Sequence, residues 1–239
     1  MSALVLSLFP GIGLLDQAFE EEGFCVVRGP DLLWGGDVRN FHPAREAFDG
    51  IIGGPPCQRH GGLGKVNIAR WGDDSVMPDM IPEFTRCIEE AHPRWFLMEN
   101  VPGAPLPDPR NYYGVSRICD NRWVGGEQRR RRRFSWGVSR FARGEFAEFH
   151  IQGEALDAID ELDTVVSTGQ TGSRPKGQLN RASIEQMCRA QGIDPARFDH
   201  SPFSRTELRR AIANGVPLPL GRAVARAVKF ALSSERAAA

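Results

Sequence analysis

The sequence predicts an α/β fold, a Rossmann-like, mostly parallel sheet with helices on both faces, plus a small irregular second domain. Three observations predict it. Short apolar runs of strand length alternate with stretches of helical spacing, glycine- or proline-rich turns follow several of the runs, and regular periodicity fades after about residue 137. Strands alternating with helices imply a parallel sheet covered on both sides, whose ligands gather at the carboxyl ends of the strands.

Residues 3–9 (ALVLSLF) read as a buried strand, followed by the turn PGIG and an amphipathic helix over 14–22 that Gly23 stops. Residues 24–27 form a second strand ending near Asp31, and residues 48–52 a third that runs into GGPPC. Helical spacing over 82–92 leads into a further buried strand, 94–98, ending at Glu99. The turn PGIG, the loop GGPPCQ and the segment MENVP thus fall on one edge of the sheet. Residues 138–204 are rich in Gly, Ser, Thr, Gln and Arg and read as a small module with an exposed loop. Residues 219–232 regain helical spacing and close the core. The expected domains are residues 1–137 completed by 205–239, and a separate unit of 138–204.

A chain of 239 residues, 41% hydrophobic, supports one full core and at most a small satellite. Its net charge of zero hides an asymmetry. Residues 1–110 carry 16 acidic and 9 basic side chains, a balance of −7, whereas residues 111–239 carry 14 and 21, a balance of +7. Phosphate binding depends on a basic face and not on the whole-chain sum, so nucleic acid stays open as a partner. Cys25, Cys57, Cys87, Cys119 and Cys188 are odd in number, scattered and without a CxxC pair. That pattern argues against a disulfide framework and against a metal site, and fits a reducing cytoplasm. No apolar stretch has the length of a membrane span, so no membrane role is expected.

Cys57 follows a predicted strand in a proline-stiffened loop that would hold a thiol over a cleft. A thiolate is a good nucleophile, although a cysteine after a strand is more often inert packing. Glu99 ends the next strand and would place an acid on the same edge; capping a strand end is the commoner fate of a lone Glu.

Phe9-Pro10-Gly11-Ile12-Gly13, Pro56-Cys57-Gln58, Glu99-Asn100-Val101, Gln128-x-Arg130-x-Arg132 and Asn214-Gly215-Val216-Pro217 stand in this order along the chain. Together they resemble the cytosine-C5 DNA methyltransferase family, and the segment 181–192 is similar to the one that precedes the family's last element. Five ordered matches are far more specific than any one of them. The resemblance implies transfer of a methyl group from S-adenosylmethionine to C5 of cytosine in DNA. Cys57 would add to C6 of a flipped base, making C5 nucleophilic, while Glu99 acts as the acid at N3. Arg130 and Arg132 would fix the base and a flanking phosphate, and Asn100 would order the loop.

For the cofactor, the resemblance implies that Gly11, Ile12, Gly13 and Leu14 admit the methionine part, with Phe9 beside the adenine. Asp31 would accept from the ribose hydroxyls, Asp37 and Val38 would hold the adenine, and Pro56, Asn214 and Val216 would close the pocket. Cytosine-containing DNA is the expected partner, joined by a restriction or recognition partner, and the chain is expected to be a monomer. An alternative is a family member repurposed for another nucleic acid or a nucleotide, or a DNA-binding protein without chemistry.

The chain departs from the family pattern in four places. Ser7 stands where the family usually has Asp, and the interval from Asp31 to Asp37 is too short for the usual helix. Arg59-His60-Gly61 follows Gln58 in place of the usual pattern. Only about 48 residues separate Arg133 from Arg181, where the family inserts a much longer target-recognition region. Reading one base pair takes a side chain worth ~1–3 kcal/mol, so a short segment implies a degenerate site of about two to three base pairs. Most affinity would then come from phosphate contacts by residues 130–133, Arg174, Lys176 and Arg181.

Overall fold

The computed structural model describes residues 2–142, 146–153 and 182–233; the expected contacts of Arg174, Lys176 and Arg181 lie outside the described residues. The strands are β1 (Leu4–Leu8), β2 (Cys25–Arg28), β3 (Gly50–Gly53), β4 (Trp95–Asn100), β5 (Tyr112–Asp120) and β6 (Arg131–Ser139). The helices are α1 (Leu14–Glu21), α2 (Gly62–Trp71), α3 (Ile81–Ala91), α4 (Ile184–Gln191), α5 (Arg205–Asn214) and α6 (Leu218–Ser233). One sheet of order β2-β1-β3-β4-β6-β5 runs through the molecule. Its first four strands are mutually parallel, and β6 is antiparallel to both β4 and β5.

Side chains alternate across the strands and so divide the core in two. Val5, Ile52, Trp95, Leu97, Phe134 and Trp136 pack on one face with Leu15 and Phe19 of α1 and with Leu220, Val224 and Val228 of α6. Leu6, Leu8, Ile51, Phe96 and Met98 occupy the other face with Ile81, Phe84 and Ile88 of α3. Helices therefore cover both faces, as the sequence predicts.

The antiparallel pair β5 and β6 was not expected. Tyr112, Tyr113, Val115 and Ile118 are strand formers, but glycine and arginine break up their pattern, and the arginine run reads as solvated loop. The reversal matters for function. Because β6 runs against β4, with Asn100 opposite Arg133, its beginning lies at the carboxyl end of β4. The arginine run is thereby delivered to the ligand edge.

The span expected as a second domain is shared with the main body wherever it is described. Phe149 packs on Trp136 in the main core, with 5.5 Å between ring centroids. Met187 and Cys188 of α4 join Leu14 and Ala18 of α1, Leu208 and Ile212 of α5, and Leu218 in a third apolar cluster. A recognition role confined to the middle of 138–204 falls outside the described residues.

Candidate active site

The switch in strand order lies between β1 and β3, and the segments singled out in the sequence follow the carboxyl ends of β1, β3 and β4. Cys57 stands four residues past β3 in a partly exposed position. Asn100, buried at the end of β4, donates from Nδ2 to the Pro55 carbonyl at 3.2 Å, and its Oδ1 accepts from the Val101 amide at 2.8 Å. One amide thus ties the cysteine loop to the strand that carries Glu99.

Glu99 is buried and paired with Arg132, Nε to Oε1 at 2.7 Å. Burying a carboxylate is costly without such a partner. Its other oxygen would stand 3.0 Å from a Cβ at Gly54, so the carboxylate packs closely on the cysteine loop. Burial and the Glu99 charge push the Cys57 thiol above its ordinary range, while Arg132 and Arg130 pull it back. Cys57, Glu99, Arg130 and Arg132 therefore share one electrostatic site.

Alternation along the approach to β6 sorts the arginines. Gln128 and Arg130 are buried, whereas Arg129 and Arg131 are exposed. Arg130 takes a different part from the one expected. Its Nη2 donates to the carbonyls of Ala213 (2.7 Å) and Gly215 (3.2 Å), and at 3% exposure it does not present its guanidinium to a phosphate outside. Gln128 donates to the Ala190 carbonyl (2.6 Å) and to Gln191 Oε1 (2.9 Å), and Gln191 Nε2 donates to the carbonyls of Ile212 (2.5 Å) and Gly215 (3.2 Å). The motifs around Gln128 and Gly215, 87 positions apart, are two halves of one buried polar joint. Gln191 was missed in the sequence because nothing local distinguishes a buried glutamine from a solvated one.

On the cofactor side, Phe9, Gly11 and Gly13 all have positive φ (56°, 54° and 74°), and no heavy atom lies within 4 Å of where a Gly11 Cβ would stand. Open space over a left-handed glycine is what close approach of a ligand to backbone needs. Asp31 accepts from the Gly11 amide (2.8 Å) and from Leu33 (2.7 Å), so its carboxylate ties the turn after β1 to the loop after β2. Both oxygens of Asp37 accept from Arg39, the closest contact at 2.6 Å, which takes up the charge expected to meet the adenine. Val38 is buried in the α3 cluster and Val216 in the main core, Ile12 and Leu14 are buried, Pro56 is partly exposed and Asn214 is exposed. Ser7 lies buried below the turn and donates to Asp16 Oδ1 at 2.5 Å; Arg28 holds the other oxygen at 3.0 Å. Burial pushes the Asp16 carboxyl up. Ser7, which departs from the family pattern, thus serves a buried network with Asp16 and Arg28.

Residues 35–140 match the family model described as C-5 cytosine-specific DNA methylase. Among curated relatives, Type II methyltransferase M.NgoPII of Neisseria gonorrhoeae is 32% identical over 117 residues, covering 41% of this chain and 33% of the relative. M.FnuDI of Fusobacterium nucleatum is 34% identical over 116 residues, covering 41% and 32%. The chain thus spans about a third of the length of these relatives. The fold resembles that of the Entamoeba histolytica methyltransferase EhMeth (TM-score 0.65, 12% identity, 98% of this chain and 99% of that one). It also resembles Spodoptera frugiperda DNMT2 (TM-score 0.66, 13% identity, 97% and 100%). Over residues 35–140, this chain is thus similar to C-5 cytosine-specific DNA methylases.

Proposed function

We propose that the chain transfers a methyl group from S-adenosylmethionine to C5 of cytosine in DNA, through a covalent bond between Cys57 and C6. The observation that carries this reading is the convergence of Cys57, Glu99 and Arg132 at the ends of three different strands. Cys57 Sγ, as thiolate, forms a bond to C6, and the C5–C6 electron pair becomes available at C5. Glu99 meets the developing charge at N3, and Arg132 fixes the orientation of that carboxyl group. Once C5 has taken the methyl group, with S-adenosylhomocysteine as the leaving group, loss of the C5 proton to a base expels Sγ and restores the ring. The target base must leave the stack to reach the thiol.

S-adenosylmethionine supplies the electrophilic methyl group when bound. The turn fits it: Gly11 has room above its backbone, and Asp31 offers acceptors beside it. Gly11, Ile12, Gly13, Leu14 and Phe9 would line the methionine and adenine ends, and Asn214, Val216 and Pro56 would border the pocket. A monomer in the cytoplasm, with any DNA reading centred between residues 138 and 204 or lent by a restriction or recognition partner, completes the proposal. Among the described residues no helix is long and apolar enough to cross a membrane.

Radiolabel transfer from S-adenosylmethionine to duplex DNA, single-stranded DNA and RNA, followed by bisulfite sequencing of the duplex, tests the reading. Label at cytosine C5 of DNA is expected. Label confined to RNA, or none on any substrate, would overturn it.

A further inference from the structure

The glycine turn after β1 is held from outside by two side chains that no motif marks. Trp34, in the 3-10 turn after Asp31, donates from Nε1 to the Gly11 carbonyl at 2.7 Å. Arg197, in the 3-10 turn after α4, donates from Nη2 to the Ile12 carbonyl at 2.8 Å and from Nη1 to Gln17 Oε1. With the Asp31 carboxylate on the Gly11 amide, three of the four backbone polar groups of Gly11 and Ile12 are bonded to side chains from two separate parts of the chain. Phe203 packs on Trp34, 5.1 Å between ring centroids, so the two parts also touch each other.

Trp34 is 58% exposed, an expensive place for a tryptophan unless its N–H is needed. Gly11 and Gly13 lie in the left-handed region, and glycine there has the largest conformational freedom to lose. A turn of this kind wanders unless its carbonyls are fixed. Fixing them before the ligand arrives removes an ordering cost from binding.

We propose that Trp34 and Arg197 are positioning residues for S-adenosylmethionine, acting by holding the Gly11 and Ile12 carbonyls so that the turn is preformed. The proposal rests on the function argued above. Neither residue need touch the methyl group, so their loss should weaken cofactor binding and leave turnover at saturation unchanged.

Isothermal titration of the full chain with S-adenosylmethionine, and separately with S-adenosylhomocysteine, tests this. Trp34→Phe keeps the ring on Phe203 and removes only the donor. The dissociation constant should rise about fivefold, the usual scale for one hydrogen bond. Arg197→Met should raise it about tenfold, and Arg197→Lys, which can still donate to Ile12, should recover most of the loss. Gln17→Ala removes the other partner of Arg197 and is the control, with affinity expected within twofold of wild type. KM for the cofactor should follow the dissociation constant while kcat stays put. Wild-type affinity in both Trp34→Phe and Arg197→Met would overturn the positioning role but leave the proposed function standing. So would an equal loss in Gln17→Ala, or a fall in kcat without a rise in KM. Should Arg197→Met fail to fold, Trp34→Phe and Arg197→Lys carry the decision. A wild-type chain that binds neither ligand would instead sink the functional reading itself.

Discussion

The two corners of the sheet edge are built on opposite plans. At the Cys57 corner, charges from distant strands answer one another: Glu99 on β4 meets Arg132 on β6, and both act on the thiol after β3. At the Gly11 corner, the carboxylates are used on loop amides and close neighbours, Asp31 also taking the Gly11 amide. Asp31 and Asp37 cap the turns that follow them, bonding to residues two positions on. The difference teaches that a charge at a strand end is free to do chemistry because the ladder has already satisfied its backbone. A charge in a short loop is first claimed by the unpaired amides around it.

The largest effect is expected from the strand-end corner. Cys57→Ala should bring methyl transfer down to background, lose trapping on DNA containing 5-fluorocytosine, and still bind S-adenosylmethionine. Measured transfer at the wild-type rate would break the comparison, since the cysteine would then be ordinary packing. Next comes Glu99→Gln, which keeps the shape but not the acid. Transfer in a single-turnover assay should fall by roughly a hundredfold, the scale for a positioned acid.

The buried joint should matter for stability more than for chemistry. Gln191→Ala takes one partner each from Gln128 and the carbonyls of Ile212 and Gly215, at a cost of about 2 kcal/mol. Urea unfolding measures this directly; an unchanged midpoint would mean that the two motif halves are not held by this network.

A gentler test concerns pH. Because burial and Glu99 raise the Cys57 thiol, the neutral form persists to higher pH than in a free thiol. Alkylation of the Cys57 peptide by iodoacetamide should lag that of a free cysteine near neutrality and climb as pH rises through the alkaline range. Glu99→Gln should speed it at neutral pH, since the like charge is gone and Arg132 is left unopposed. Peptide mass spectrometry separates Cys57 from exposed Cys25, and buried Cys87, Cys119 and Cys188, pushed up to about 11, should stay unmodified. No change with Glu99→Gln would break the electrostatic link on which the corner depends.

The smallest effect belongs to the loop corner. Asp37→Asn should change the dissociation constant for S-adenosylmethionine less than about threefold, since Arg39 already occupies the carboxylate. A tenfold loss would mean that Asp37 leaves Arg39 for the cofactor, and the contrast between the corners would narrow.

The sequence by itself determined the parallel half of the sheet, the helices α1, α3 and α6, and the placing of Cys57 and Glu99 on one edge. Periodicity reports burial wherever an element has one apolar face, and strand ends follow from it. Tertiary structure alone decided the rest. The helix α2 carries weakly patterned residues after the cysteine loop, and the antiparallel β6 depends on pairing with β4, and β5 on pairing with β6, contacts that no local pattern encodes. The fates of individual polar side chains were likewise settled in space. Arg130 and Arg132 stand two residues apart, yet one serves the backbone of the turn at Gly215 and the other meets Glu99. Spacing gives a side chain its face, but a buried charge takes whichever partner the fold brings within reach, because leaving it unpaired costs more than any propensity can return.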